Sequence, residues 1–214
     1  MTPQALTQAL DRSGLLHGLG WSVSAPCDDP GALFDVERNA MRRAVPARVA
    51  EFTGGRIAAR AALAQIGVAP QPIAMGADRA PLWPRGVLGS ISHAGGLCLA
   101  VAARGPWRGI GVDIEPDADM DPDLIDTIAA PGELSGLAPL TPGRAATRIF
   151  SAKEAAYKAQ FPLTRAVFGF DAMQARMPAL RMRMIRDMGL GPGAEIPIRQ
   201  ETLADLVVSI ALLP

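Results

Sequence analysis

The chain has 214 residues, enough to bury a core as one domain or two small ones, and its 49% apolar content fits a globular protein. Its 21 basic residues balance 21 acidic ones, which argues against nucleic-acid binding through a broadly basic surface. No run of 18 apolar residues occurs, and no basic stretch leads into an apolar signal segment; no stable membrane insertion is expected, and the expected setting is the reducing cytoplasm.

The region up to about Pro30 offers short apolar stretches, in which Trp21 and Val23 alternate with Ser22 and Ser24 like a brief strand. A helix is expected from about Ala32 to Arg43. Pro46 suits the first turn of a longer helix running to about Ile66, with Gly67 as its stop. The stretch Pro70 to Gly89 is rich in Pro and Gly and reads as loop with room for one short strand. Gly89 to Ala103 reads as a strand pair around Ala94-Gly95-Gly96. Gly105-Pro106 breaks the pattern and is the expected boundary between residues 1–105 and 106–214.

Beyond it, Ile110 to Glu115 reads as a strand. Pro116 to Pro139 holds four prolines and five aspartates, with a weak helix near Leu124–Ala129. Thr141-Pro142 is a good helix start, Thr as N-cap and Pro at N1, and Phe161-Pro162 is the expected end. Leu180 to Met184 alternates like a half-buried strand, and Ile196–Arg199 and Leu206–Leu212 look like further strands. One long helix plus several strands in each half predicts an α+β fold of two similar-sized parts.

Two segments carry the chemistry. In Gly109-Ile110-Gly111-Val112-Asp113-Ile114-Glu115, residues two apart share a strand face. Asp113 and Glu115 therefore stand side by side, next to glycines that leave room for a ligand or another backbone. The plainer reading is a pair of solvated acids before Pro116. The chemical one is a divalent cation that removes their repulsion, and oxygen-only ligands suit Mg²⁺. In Phe150-Ser151-Ala152-Lys153-Glu154-Ala155-Ala156-Tyr157-Lys158, Glu154 and Lys158 lie four apart on one helix face, continued backwards by Ser151, Arg148 and Arg144. Glu154 could be a third ligand or a base, and Lys158 could face phosphate charge; an ordinary exposed ion pair is the competing reading. Lys153 and Lys158 are the only lysines in an arginine-rich chain.

Upstream, Ser92 and His93 sit where a strand meets a glycine turn, and both can donate to phosphate oxygens. Arg48, Arg56 and Arg60 fall on similar faces of the long helix, as phosphate forks or as a solvated face. Gly54-Gly55 weakens that helix, which suggests close approach of a chain segment or a ligand. His17 has no clustered partner. Cys27 and Cys98 give no disulfide framework or metal spacing, and Cys98 in the apolar run 97–101 reads as a buried thiol.

The two segments, with Arg79-Ala80-Pro81-Leu82-Trp83-Pro84, Gly89-Ser90-Ile91-Ser92-His93 and Glu51-Phe52 followed by Gly55-Arg56 and Ala59-Arg60, resemble the 4′-phosphopantetheinyl transferases of the surfactin/enterobactin-synthase type. The resemblance spans about Arg42 to Pro162 in order and spacing. It implies transfer of the 4′-phosphopantetheine arm of coenzyme A to a serine of an apo acyl or peptidyl carrier protein. The by-product would be adenosine 3′,5′-bisphosphate, and the setting siderophore or other secondary metabolism. It also implies Mg²⁺ on Asp113, Glu115 and Glu154, with Glu154 as base, directly or through water. Lys158 would steady the pyrophosphate and help the nucleotide leave. Coenzyme A phosphates would meet Arg56, Arg79, Ser92 and His93, with Arg48 and Arg60 as weaker assignments. The implied fold is a pseudo-twofold pair of α+β halves with a cleft between them, in a monomer. Phosphate-binding residues would come from 1–105 and the metal-binding and catalytic motifs from 106–214. Two other functions remain open on the residues alone: a different Mg²⁺-dependent pyrophosphate-cleaving enzyme, or a non-catalytic protein that binds coenzyme A or a carrier.

Overall fold

In the computed structural model, which describes residues 1–177 and 179–214, the chain divides after Pro106 into two units, Met1–Pro106 and Trp107–Pro214. Each unit sets a long helix on an antiparallel sheet, the α+β arrangement that the element order predicts.

The first unit begins with α1 (Pro3–Ser13), capped by the Thr2 hydroxyl, which accepts from Ala5 N–H at 3.2 Å, and closed by Gly14 in the left-handed region. The sequence reading placed no helix here, because the buried stripe is thin: only Leu6 and Leu10, one turn apart, face the interior. Then come β1 (Gly20–Ser24), α2 (Asp35–Ala40), α3 (Pro46–Gln65), β2 (Leu88–Ala94) and β3 (Leu97–Ala103). The sheet order is β1-β3-β2, with His93 opposite Cys98 in the β2–β3 hairpin. The central strand β3 is buried along its whole length. On this sheet lies α3, its Ala58, Ala59, Ala62 and Leu63 packed with Ala100 and Ala102.

Small residues let that helix sit close. A Cβ on Gly54 would stand 2.4 Å from the Ala25 carbonyl oxygen, and one on Gly20 would stand 2.3 Å from that of Ala62. The glycine pair in α3 thus admits another chain segment. The expected helix over Ala32–Arg43 is instead a 3₁₀ turn at Pro30–Ala32 followed by α2. Glu37 turns back to accept the Phe34 N–H at 3.0 Å, which starts α2 at Asp35. Between α3 and β2 the chain is loop, with one isolated bridge from Met75 to Pro81.

The second unit contains β4 (Gly109–Pro116), α4 (Pro122–Ile128), α5 (Pro131–Ser135), α6 (Pro142–Thr164), β5 (Met173–Arg176), β6 (Arg181–Met184), β7 (Glu195–Leu203) and β8 (Leu206–Leu213). Its sheet runs β4-β8-β7-β6-β5, antiparallel throughout. Against one face lies α6, whose Ile149, Ala152, Ala155, Ala156 and Ala159 share a core with Met173, Met182, Met184, Ile196 and Ile198. The helix does not stop at Phe161-Pro162 as expected. It continues to Thr164 and ends on Arg165, which takes a left-handed φ of 56° and donates its N–H to Phe161 O at 2.9 Å. A proline so near the end forfeits a single backbone bond, and stacking of Tyr157 on Phe161, with ring centroids 5.6 Å apart, holds the last turns together.

Candidate active site

The β4 strand follows from alternating Ile110, Val112 and Ile114, and it ends as Pro116 leads to Asp117, whose N–H donates to Asp205 O at 2.8 Å. The other face of β4 meets α6 at backbone distance. A Cβ on Gly111 would lie 1.9 Å from Ala155 O, and one on Gly109 would lie 2.1 Å from Ala159 O. The room left by these glycines is therefore occupied by the helix. This contact brings Asp113, the next residue on that face, beside the last three turns of α6.

The result is a compact charged group. Lys158 Nζ donates to Asp113 Oδ1 at 2.6 Å and to Val112 O at 3.2 Å. Asp113 is buried, and Glu115 is partly buried at the strand's end. Burial, then Asp113, then Glu154 push the Glu115 carboxyl up to about 7, against the opposing pull of Lys158. Glu154 is likewise raised, first by burial and then by Asp113, with Lys158 again opposing. Three carboxylates from two adjacent elements thus feel one another across a single amine.

Their donor chemistry fits a hard divalent cation. All the ligating atoms would be oxygens, and the excess of negative charge is what a cation would relieve. Among the described residues, no three His, Cys, Asp or Glu side chains already converge as a ready-made metal cage, and one Asp113 oxygen is bonded to Lys158.

Two further ionic clusters fix this site, and the sequence reading did not find them. Asp117 is gripped by Arg148 in a two-pronged contact, Nε to Oδ1 at 3.0 Å and Nη2 to Oδ2 at 2.9 Å, and Arg144 donates to its carbonyl at 2.8 Å. Arg148 thereby holds the Asp117 carboxyl below the usual range. Of the expected polar stripe Arg144-Arg148-Ser151, Arg148 and Ser151 therefore turn inward, whereas Arg144 stays exposed and reaches Asp117 from the surface. Ser151 is buried and hydrogen-bonded to Ser209 Oγ at 2.8 Å, and Ser209 lies opposite Asp113 in the β4–β8 register.

The second cluster is Lys153 with Glu133, both buried. Lys153 Nζ reaches Glu133 Oε1 at 3.1 Å and donates to Ile128 O and Phe170 O at 2.7 and 3.1 Å. Glu133 also accepts from Ala130 and Ala175 N–H at 3.0 and 2.7 Å. One ion pair thus ties α4, α5 and β5 to α6 at the residue before Glu154. Its only trace in the sequence is a lysine next to an alanine that belongs to the buried face. Beside it a cavity of about 110 Å³ opens, lined by Glu154, Tyr157, Phe168, Gly169, Phe170 and Met173.

The candidates in the first unit separate into two kinds. Arg48 Nη1 donates to His93 Nε2 at 2.6 Å and to Glu51 Oε2 at 3.3 Å, and His93 Nδ1 faces Glu51 at 3.6 Å. An arginine can only donate, so Nδ1 carries the ring proton. Arg48 and His93 are accessible, and Ser92 beside them is buried. Arg79 is exposed at a loop tip with a left-handed φ of 67°.

Arg56 and Arg60 instead turn inward to Glu37, which is fully buried. Arg60 Nη1 donates to both Glu37 oxygens, at 3.1 and 3.0 Å, and Ile73 N–H donates to the same carboxylate at 2.8 Å. Arg56 lies over the Phe52 ring at 4.1 Å, and its Nε donates to Ile73 O. Burial lowers it to about 10, which keeps it cationic at neutral pH. The helix face that reads as a row of phosphate forks thus clamps α2 and the Ile73 loop to α3. Cys98 is buried, with its thiol pushed up to about 11 by burial first and Glu51 second.

Comparison with known proteins agrees with this layout. Residues 36–103 match the 4′-phosphopantetheinyl transferase N-terminal domain, and residues 109–211 match the 4′-phosphopantetheinyl transferase superfamily. The 4′-phosphopantetheinyl transferase Svp of Streptomyces mobaraensis is 40% identical over 162 residues, covering 71% of this chain and 66% of that protein. The transferase Npt of Nocardia iowensis is 39% identical over 137 residues, 63% of this chain and 62% of the relative. Enterobactin synthase component D of Shigella flexneri is 46% identical over 125 residues, 56% of this chain and 59% of the relative. The chain thus spans about two thirds or less of the length of these relatives. Two consecutive matches of one family, meeting where the two units meet, place the chain in the 4′-phosphopantetheinyl transferase superfamily, of the surfactin/enterobactin-synthase type.

Proposed function

We propose that this protein transfers the 4′-phosphopantetheine group of coenzyme A to a serine hydroxyl of an apo acyl or peptidyl carrier protein, releasing adenosine 3′,5′-bisphosphate. The observation that carries the reading is the group Asp113, Glu115 and Glu154 around Lys158 on β4 and α6. Glu154 takes the proton of the acceptor hydroxyl, directly or through a water. Its affinity for protons, raised by burial and Asp113, makes it a better base near neutral pH than an exposed carboxylate. The serine oxygen then attacks the phosphorus that carries pantetheine, and the bond to the bridging oxygen of the nucleotide breaks. Lys158, held by its hydrogen bonds to Val112 O and Asp113 on β4, offsets the charge that develops on the departing phosphate. Asp113, Glu115 and Glu154 would hold Mg²⁺, which when bound neutralises charge on the pyrophosphate oxygens.

The cavity beside Glu154, lined by Tyr157, Phe168 and Met173 as well as by charged groups, suits the pantetheine arm, an uncharged chain of amides and methylenes. Arg48, His93 and Ser92 form the proposed phosphate-binding group, joined by Arg79. Arg56 and Arg60 contribute positive potential while they anchor Glu37. The relatives' names supply the phosphopantetheinyl group as what is transferred, and enterobactin synthase component D points to siderophore assembly as the setting.

The test is to incubate the protein with coenzyme A, Mg²⁺ and an apo carrier and to weigh the carrier by mass spectrometry. The carrier should gain one phosphopantetheine, and EDTA should abolish the gain. Asp113→Ala and Glu154→Ala should each reduce it at least ~100-fold, the usual scale for loss of a catalytic proton-transfer or charge-stabilising group. Wild-type product from either variant removes the site assignment, and release of free phosphopantetheine without a carrier removes the acceptor.

A further inference from the structure

The face of the second sheet turned away from α6 carries a charge pattern that the site above does not use. On β5 and β6 the residues alternate, Met173, Ala175, Met182 and Met184 inward and Arg176, Arg181 and Arg183 outward. The register sets Arg176 directly opposite Arg181, and Arg183 next to Glu195 of β7. Arg199, exposed on the same face of β7, is two residues beyond Pro197, the partner of Arg181. Four exposed arginines therefore share this face with two carboxylates, Glu201, partly buried two residues beyond Arg199, and Glu195. The contact of Glu195 with Arg181, at 3.8 Å with both side chains 46% exposed, is loose. Among the described residues, no carboxylate lies within ion-pair distance of Arg176, Arg183 or Arg199.

Like charges directly opposite each other destabilise a sheet, so the fold gains nothing from Arg176 facing Arg181. Nor is the patch a sample of a generally basic surface, since the whole chain is balanced at 21 basic and 21 acidic residues. Arginines on neighbouring strands are about 4.8 Å apart, and those two residues apart on one strand about 6.8 Å. Carboxylates one turn apart on a helix are separated by about 5–6 Å, which matches this grid.

We propose that this arginine face is a docking surface for an acidic segment of the protein partner that carries the acceptor serine. The inference rests on the proposed function for the identity of the partner, and on the register and charge of β5, β6 and β7 for the surface. Because the arginines and α6 lie on opposite faces of the sheet, docking raises the local concentration of the partner and leaves the chemistry at Glu154 alone.

The experiment has two readouts. In the first, a fluorescein-labelled peptide of twelve glutamates is titrated by anisotropy against the wild type, R181Q/R183Q and R42Q/R43Q. The last pair removes the same charge from two exposed arginines outside the patch. The wild type and R42Q/R43Q should bind alike, and R181Q/R183Q roughly tenfold more weakly, with affinity falling as salt is raised. R176Q/R199Q serves as a second patch variant and should weaken binding likewise. In the second readout, the unlabelled peptide should raise the KM for an apo carrier domain while kcat and the KM for coenzyme A stay unchanged. Equal weakening in R42Q/R43Q overturns the proposal. So does unaltered binding by both patch variants, an unaltered carrier KM, or preferential binding of a twelve-nucleotide single-stranded DNA over the peptide. Absence of transfer by the wild type itself refutes the proposed function, and peptide binding confined to the patch would then still locate an acidic ligand there.

Discussion

Replacing Gly111 by alanine tests the contact on which the site depends. The added Cβ would stand 1.9 Å from Ala155 O and 2.6 Å from Ala159 N, whereas ordinary contacts begin at 3.4 Å. Neither neighbour is a flexible side-chain end; both are backbone of α6, so the helix or the strand must move by about 1.5 Å. Overpacking of this kind costs about 1–3 kcal/mol and sometimes more, and collision with helix backbone belongs at the upper end. For a chain of this size that is a loss of about 10 °C in melting temperature. The same displacement carries Glu154 and Lys158 away from Asp113, and misplacement by about 1 Å can cost ~100-fold in rate. Calorimetry and carrier modification followed by mass spectrometry are the assays, with Gly132→Ala in α5 as the control. Gly132 has nothing within 4 Å of its would-be Cβ and no positive φ, so that variant should be neutral or slightly stabilised. A Gly111→Ala protein that melts within roughly 2 °C of the wild type and retains full activity would refute the close β4–α6 packing.

Glu133→Ala leaves the Lys153 ammonium buried without its carboxylate and should cost about 3–5 kcal/mol in urea denaturation. Glu133→Ala/Lys153→Met should recover much of that loss, and a single variant as stable as the wild type would remove the clamp. Asp117→Asn should lower stability at neutral pH, where Arg148 stabilises the charged carboxylate. Since that folded-state pKa is depressed, the stabilisation is present above the unfolded value of about 3.9 and fades as pH falls through the folded one. The gap between wild type and variant, followed by thermal melts, should therefore close on acidification; a gap that widens there would contradict the pairing. Cys98, buried with its thiol raised to about 11, should resist a thiol reagent at pH 8 until the protein is unfolded, while half-buried Cys27 reacts. Rapid labelling of both in the native protein would contradict that burial.

How much of this was legible beforehand depended on the range of the interaction. Periodicity and caps are local, so α3, β2, β3, β4 and the start of α6 at Thr141-Pro142 could be read directly. Short helices with few buried residues, such as α1 and α5, left too thin a stripe to detect. The end of α6 was misjudged because one lost backbone bond at Pro162 is outweighed by aromatic packing that only the folded chain provides. At the site, strand alternation put Asp113 beside Glu115, and helical spacing put Glu154 in line with Lys158. That Lys158 bonds Asp113, or that Glu133 neutralises Lys153, involves partners 45 and 20 residues apart.

The residue pattern by itself determined the long helices, most of the strands and the four acidic and basic groups offered for chemistry, since each rests on neighbours within one or two turns. Tertiary structure alone decided which charges are anchors. Arg60 and Arg148 look on paper like Arg48, yet the first two are drawn to the buried acids Glu37 and Asp117, and Arg48 stays accessible beside His93. An arginine's role is set by the carboxylate that the fold brings to it, because burying an acid is tolerable only when a cation and its hydrogen bonds come with it.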